Sequence, residues 1–114
     1  MNSMENEWVD LSQVLERYRD RGVYEAEEVM GVWQFRINEC PIHLKIKVIR
    51  HLPAGKFIGL ANYEIKRPGQ AGFYTSLHFC DTVQEALEDV LHGFFSFWDP
   101  KEADKTEFKP VEDW

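Results

Sequence analysis

Apolar and polar residues alternate along Ile42-His-Leu-Lys-Ile-Lys-Val48, with Ile42, Leu44, Ile46 and Val48 on one side and His43, Lys45 and Lys47 on the other. A period of two predicts a strand with one buried face. Trp33, Phe35 and Ile37 alternate with Gln34, Arg36 and Asn38 in the same way. Cys40-Pro41 then ends that run, because proline cannot donate to a ladder. Lys56 to Lys66 reads as a third strand, with Gly59 marking a bulge or a place where another backbone comes close. Phe73, Thr75, Leu77 and Phe79 alternate with Tyr74, Ser76, His78 and Cys80 in a fourth. Tyr24 to Met30 fits neither period.

The links between strands are short. Leu52-Pro-Ala-Gly55 and Arg67-Pro-Gly-Gln70 are turn sequences: proline sets one φ and glycine accepts a positive one. Such links require antiparallel hairpins, since a parallel crossover takes a dozen residues or more.

Two stretches carry helical spacing instead. Leu11, Val14, Leu15 and Tyr18 form one stripe; Asp10 is placed as N-cap, Gln13 in capping-box position, and Gly22 as a left-handed stop, predicting a helix over 11–21. Val83, Ala86, Leu87, Val90, Leu91, Phe94, Phe95 and Trp98 form a second stripe, opened by the capping box Thr82/Glu85 with Asp81 at the positive end of the dipole. Asp99-Pro100 closes it. Gln84, Glu85, Glu88, Asp89, His92 and Ser96 face solvent in this reading.

The expectation is an α+β domain over residues 1–98, in order α-β-β-β-β-α. Its sheet is a four-stranded antiparallel meander with both helices on one face. Residues 99–114 are charged, hold two prolines and lack periodicity, so an irregular tail is expected there. Phe108, Val111 and Trp114 are its large apolar groups.

Composition narrows the function classes. The 114 residues suit one domain, and 44% hydrophobic with 29% charged content describes a soluble globular chain. No apolar run reaches the length of a membrane span. Met1-Asn-Ser-Met-Glu-Asn-Glu7 lacks the basic start and apolar core of a signal peptide, so the expected location is the cytoplasm, where Cys40 and Cys80 are free thiols.

The net charge of −7 opposes broad nucleic-acid binding. Charge is segregated, however: Arg36 to Arg67 holds seven basic residues against two acidic ones, a local +5 that leaves −12 on the flanks. Either this segment forms a basic binding face, or basic strands lie beside acidic helices of the same fold; the second is expected.

Three constellations could carry chemistry. Cys40, His43, His78 and Cys80 supply the ligand types of a zinc centre. In a meander the two pairs fall at opposite ends of the sheet, roughly 25 Å apart at the usual rise per residue, so no metal is expected. His51, His78 and Cys80 share one end, where a Cys–His pair could in principle activate a thiolate; no orienting group or oxyanion donor accompanies them, and ordinary strand-end polar residues are the simpler reading. Phosphate-binding, dinucleotide-binding, HExxH and GxSxG signatures are all missing, and neither enzymatic activity nor a cofactor is expected.

The third constellation is the sheet face turned away from the helices. Ile49, Ile58 and Leu60 would form an apolar centre rimmed by Lys45, Lys47 and Lys66, the anatomy of a protein interface unless the tail covers it. The same lysines could serve single-stranded RNA, but Tyr74 is the one aromatic residue of that predicted face, too little for a stacking platform.

The passage Asp81-Thr-Val-Gln-Glu-Ala-Leu87, preceded by hairpins and by Pro68-Gly69, resembles HicB-like antitoxin domains over at most Ile42 to Phe95. The gap after Pro68-Gly69 is longer than in that family, and Cys80 stands where its glycine precedes Asp-Thr. The resemblance implies binding to a small partner toxin and often an added DNA-binding domain, for which little of this chain is left. The leading expectation is a non-enzymatic protein-interaction or self-association module, possible as a homodimer, acting through the open sheet face. A nucleic-acid-binding or antitoxin-type regulator is the second, and an enzyme using His51, His78 or Cys80 the third.

Overall fold

In a computed structural model, described over residues 9–75 and 77–114, the alternating run around Leu44 becomes the central strand β2 (His43–Leu52). It lies between β1 (Ala26–Arg36) and β3 (Lys56–Ala61) in an antiparallel β1-β2-β3 sheet. Leu44, Ile46 and Val48 have no exposed surface. They pack with Ile65, Ala86, Val90, Phe94 and Trp98 into the core beneath α2 (Val83–Phe95).

Local signals form as expected. Thr82 accepts from the Glu85 N–H at 3.0 Å to start α2, and Asp10 accepts from the Gln13 N–H at 3.1 Å to start α1. The turn Arg67–Gln70 closes with a 3.1 Å Gln70 N–H to Arg67 carbonyl bond, Gly69 taking φ +84°. The helix predicted over 11–21 is shorter: α1 covers Leu11–Arg17, then a 3-10 turn Arg19–Arg21 leads to Gly22 at φ +96°. α1 touches β1, and its buried Leu15 lies outside the core cluster under α2. α2 instead meets β2 and β3.

From Ala26 on, the ambiguous stretch 24–30 belongs to β1. The register runs Val29↔Ile49 and then Gly31↔Val48, passing over Met30. This bulge shifts the side-chain phase by one residue, which is why no single period of two spans the strand.

The four-stranded meander divides in two. The third predicted strand, 56–66, breaks at Asn62, whose side chain takes the place of a ladder partner: Oδ1 accepts from the Lys45 N–H at 2.8 Å and Nδ2 donates to the His43 carbonyl at 3.2 Å. Beyond this corner β4 (Tyr63–Lys66) leaves β2 and pairs with β5 (Glu107–Pro110) in a second antiparallel sheet. The fourth predicted strand, 73–80, contains Ser76, which lies outside the described residues. Among its described residues, isolated bridges join Tyr74 to Ile65 and Cys80 to Phe57. With β3 and β4 diverging at Asn62, that segment has no one strand to follow.

The expected irregular tail is structured instead. Pro100–Lys105 forms a 3-10 segment capped by Asp99, and β5 follows. Phe108 of β5 stacks on Phe94 with centroids 6.4 Å apart and meets Trp98 at 5.9 Å. Those contacts close the core from the side the second sheet occupies.

Candidate interaction surface

Paired residues of antiparallel strands project to the same side, so the register sorts the sheet's faces. Trp33↔Ile46↔Ala61 and Gly31↔Val48↔Gly59 are rows on the α2 side. Val32↔Lys47↔Leu60 and Val29↔Ile49↔Ile58 are rows on the opposite side, with Gln34↔Lys45 and Glu27↔His51↔Lys56 at their ends. The sequence-derived set Lys45, Lys47, Ile49, Ile58 and Leu60 thus does share one face. Lys66 lies beyond the Asn62 corner on β4, 3.9 Å from Glu107 and 5.7 Å from the Phe73 ring.

Part of this face is covered by the end of the chain. The indole Nε1–H of Trp114 donates to the Leu60 carbonyl at 2.6 Å. The Lys47 ammonium donates to the Trp114 carbonyl at 2.9 Å and stands 5.1 Å from the centroid of its ring. Ile49 is buried, and Ile58 and Leu60 are half-buried. What stays open are residues that sequence patterning left out. Val29 and Val32 of β1 are 58% and 52% exposed, and Leu77 and Phe79 are 61% and 59% exposed. Phe79 belongs to this side through its ring contact with His51 at 5.8 Å, and Leu77 lines a cleft with Lys47, Leu60 and Trp114. Val32 is in phase with Gln34, whereas Val29 could have been found in the sequence only by allowing a one-residue phase slip at Met30.

The segregated charge folds back on itself. Arg50 pairs with Glu28 at 2.7 Å, Arg67 with Glu102 at 3.5 Å, Lys66 with Glu107, and Lys56 with Asp81. The Asp81 hydrogen bond and charge hold the Lys56 pKa above its ordinary value. Basic strands beside acidic flanks, rather than a basic groove, account for most of the +5 segment.

The two imidazoles of the polar cluster each lie against a carboxylate. His51 Nε2 lies 3.1 Å from Glu25 Oε2, and His78 Nδ1 lies 3.1 Å from Asp89 Oδ2 on α2. The Cys80 thiol donates to the His78 carbonyl at 3.7 Å rather than to an imidazole. Burial pushes the Cys80 thiol up, and the carboxylates of Asp89, Glu85 and Asp81 push it further; burial likewise raises Cys40. Raised thiols are the reverse of an activated nucleophile. Cys40 packs against the core, and among the described residues no group of three or more His, Cys, Asp or Glu side chains is arranged to hold a metal ion.

The outer edge of β1 completes the surface. β1 is an edge strand of eleven residues. It contains neither lysine nor proline, the residues that usually blunt an edge. Compared with models of protein families, with curated proteins and with solved structures, the chain has no match.

Proposed function

We propose that this chain is a non-enzymatic protein-interaction module that works through the side of its three-stranded sheet turned away from α2. The observation that carries the reading is the row of exposed large apolar side chains there, Val29, Val32, Leu77 and Phe79, beside the half-buried Ile58 and Leu60. Apolar area of this kind around a partly polar rim is what a partner desolvates on binding. The raised thiols and carboxylate-paired imidazoles support a binding role over nucleophilic chemistry. Two free cysteines suit a reducing compartment, and the cytoplasm is the location we assign.

The test is crosslinking in cells, comparing the wild type with the surface variant Val32→Lys/Phe79→Lys after circular dichroism has shown both to be folded. A crosslinked species, whether a second copy or another protein, that the wild type gives and the variant loses supports the reading. The same species with both proteins, or none with either, overturns it.

A further inference from the structure

The edge of β1 is complementary to itself. Its start carries Glu27 and Glu28 and its end carries Arg36, so an antiparallel copy brings opposite charges together and a parallel copy brings like charges together. Among the described residues neither Glu27 nor Arg36 is engaged in an ion pair, whereas Glu28 is held by Arg50. The competing edge, that of β3, is already bridged by Cys80 through paired bonds to Phe57 of 2.9 and 2.7 Å. α1 touches β1 but leaves Val29, Met30, Val32 and Trp33 exposed.

Resting on the interaction reading above, we propose that the partner is a second copy of this chain, its β1 pairing antiparallel with the first about a two-fold axis at Val32. The bulge fixes the register. Glu28, Gly31, Trp33 and Phe35 face α2, opposite Arg50, Val48, Ile46 and Leu44; Glu27, Val29, Val32, Gln34 and Arg36 face the other way, opposite His51, Ile49, Lys47, Lys45 and His43. With Val32 against Val32 of the second copy and Met30 passed over in both, Gly31 meets Trp33, Val29 meets Gln34, Glu28 meets Phe35 and Glu27 meets Arg36. Each of these pairs joins residues of the same face, as a continuous sheet requires. Moving the axis to Trp33 sets Arg36 against Val29 and leaves Glu27 unmatched. The Val32 axis alone among these neighbouring registers satisfies both charges. It also lines up Val29 and Val32 of both copies into one apolar strip and gives each exposed edge its missing backbone partners.

Sedimentation equilibrium on the intact chain tests the pairing. The wild type is expected to be a dimer at micromolar concentration. Glu27→Arg and Arg36→Glu, each of which sets like charges opposite one another twice per dimer, should each weaken it about tenfold or more. The double variant Glu27→Arg/Arg36→Glu restores both pairs and should return to wild-type affinity; thermal melts of the three variants identify any that fails to fold. A double variant no tighter than the single ones overturns the proposed register, as does a dimer indifferent to all three. A wild type that is monomeric even at high micromolar concentration overturns self-pairing. The broader reading would still stand in that case if Val32→Lys/Phe79→Lys abolished a crosslink to a different protein.

Discussion

Gly59 of β3 and Val90 of α2 lie so close that a Cβ on Gly59 would fall 2.5 Å from Val90 Cγ2, and 2.7 Å from the backbone oxygen of Ala86. The helix therefore rests directly on the strand, and hydrogen is the only side chain the site accommodates. Gly59→Ala should destabilise the fold by about 1 to 3 kcal/mol through overpacking. Adding Val90→Ala should recover only part of the loss, because the Ala86 carbonyl cannot be trimmed away. Urea unfolding of the two variants measures both effects.

Asn62 turns the chain from one sheet into the other by serving as acceptor to Lys45 and donor to His43. Asn62→Ala should cost about 1 to 3 kcal/mol, as polar backbone groups lose their partners. Asn62→Asp keeps the acceptor but turns a carboxylate oxygen toward the His43 carbonyl, so it should be no better than alanine. A variant with aspartate as stable as the wild type would show that the His43 bond contributes nothing.

Phe108 brings the last strand into the core through Phe94 and Trp98. Phe108→Ala is expected to lower stability by about 2 to 4 kcal/mol, somewhat below a fully buried aromatic because the ring is only half-buried. Faster amide exchange in β4 and β5 than in β2 should accompany it. Unchanged stability would mean that residues 107–110 are dispensable to the fold.

The Thr82 hydroxyl satisfies the Glu85 N–H at the start of α2. Thr82→Ala should cost about 1 kcal/mol, whereas Thr82→Ser should be close to neutral. Thermal melts separate the two.

Cys40 and Cys80 have raised thiol pKa values, and Lys56 is also raised, in its case by Asp81. All three groups hold their protons more tightly in the fold than in the unfolded chain. Their contribution is therefore fully present at neutral pH and is lost as the pH climbs through the ordinary thiol and lysine values of 9.0 and 10.5 and beyond. Melting temperature should fall in alkali. Alkylation of Cys80 at neutral pH should be slower than that of a small free thiol, and Asp89→Asn should speed it by removing one of the charges that oppose the thiolate.

How far the sequence carried depends on the range of the interaction concerned. The caps at Asp10 and Thr82, the turn at Gly69 and the solvent face of α2 were readable because each is settled within three or four residues. Close backbone approach at Gly59 was readable because a glycine inside a strand pattern has few other uses. Phe95, placed on the apolar stripe of α2, is instead 51% exposed, since the helix has less to cover near its end than its pattern suggests. Of the surface residues, Lys45, Lys47, Ile49, Ile58 and Leu60 followed from the period of two, while the break at Asn62 that carries Lys66 onto a second sheet did not.

The sequence by itself determined the α+β class, the antiparallel hairpins, the helix starts and the buried side of β2, since those rest on periodicity and on bonds between near neighbours. Only the tertiary structure decided that Met30 would be passed over, that Asn62 would divide one meander into two sheets, that Phe108 would complete the core and that Trp114 would lie across Lys47 and Leu60. Each of those outcomes pairs groups ten or more residues apart, or depends on which strand a neighbour follows. Local pattern holds no record of such partners, because the free energy that selects them arises only when the distant segments meet.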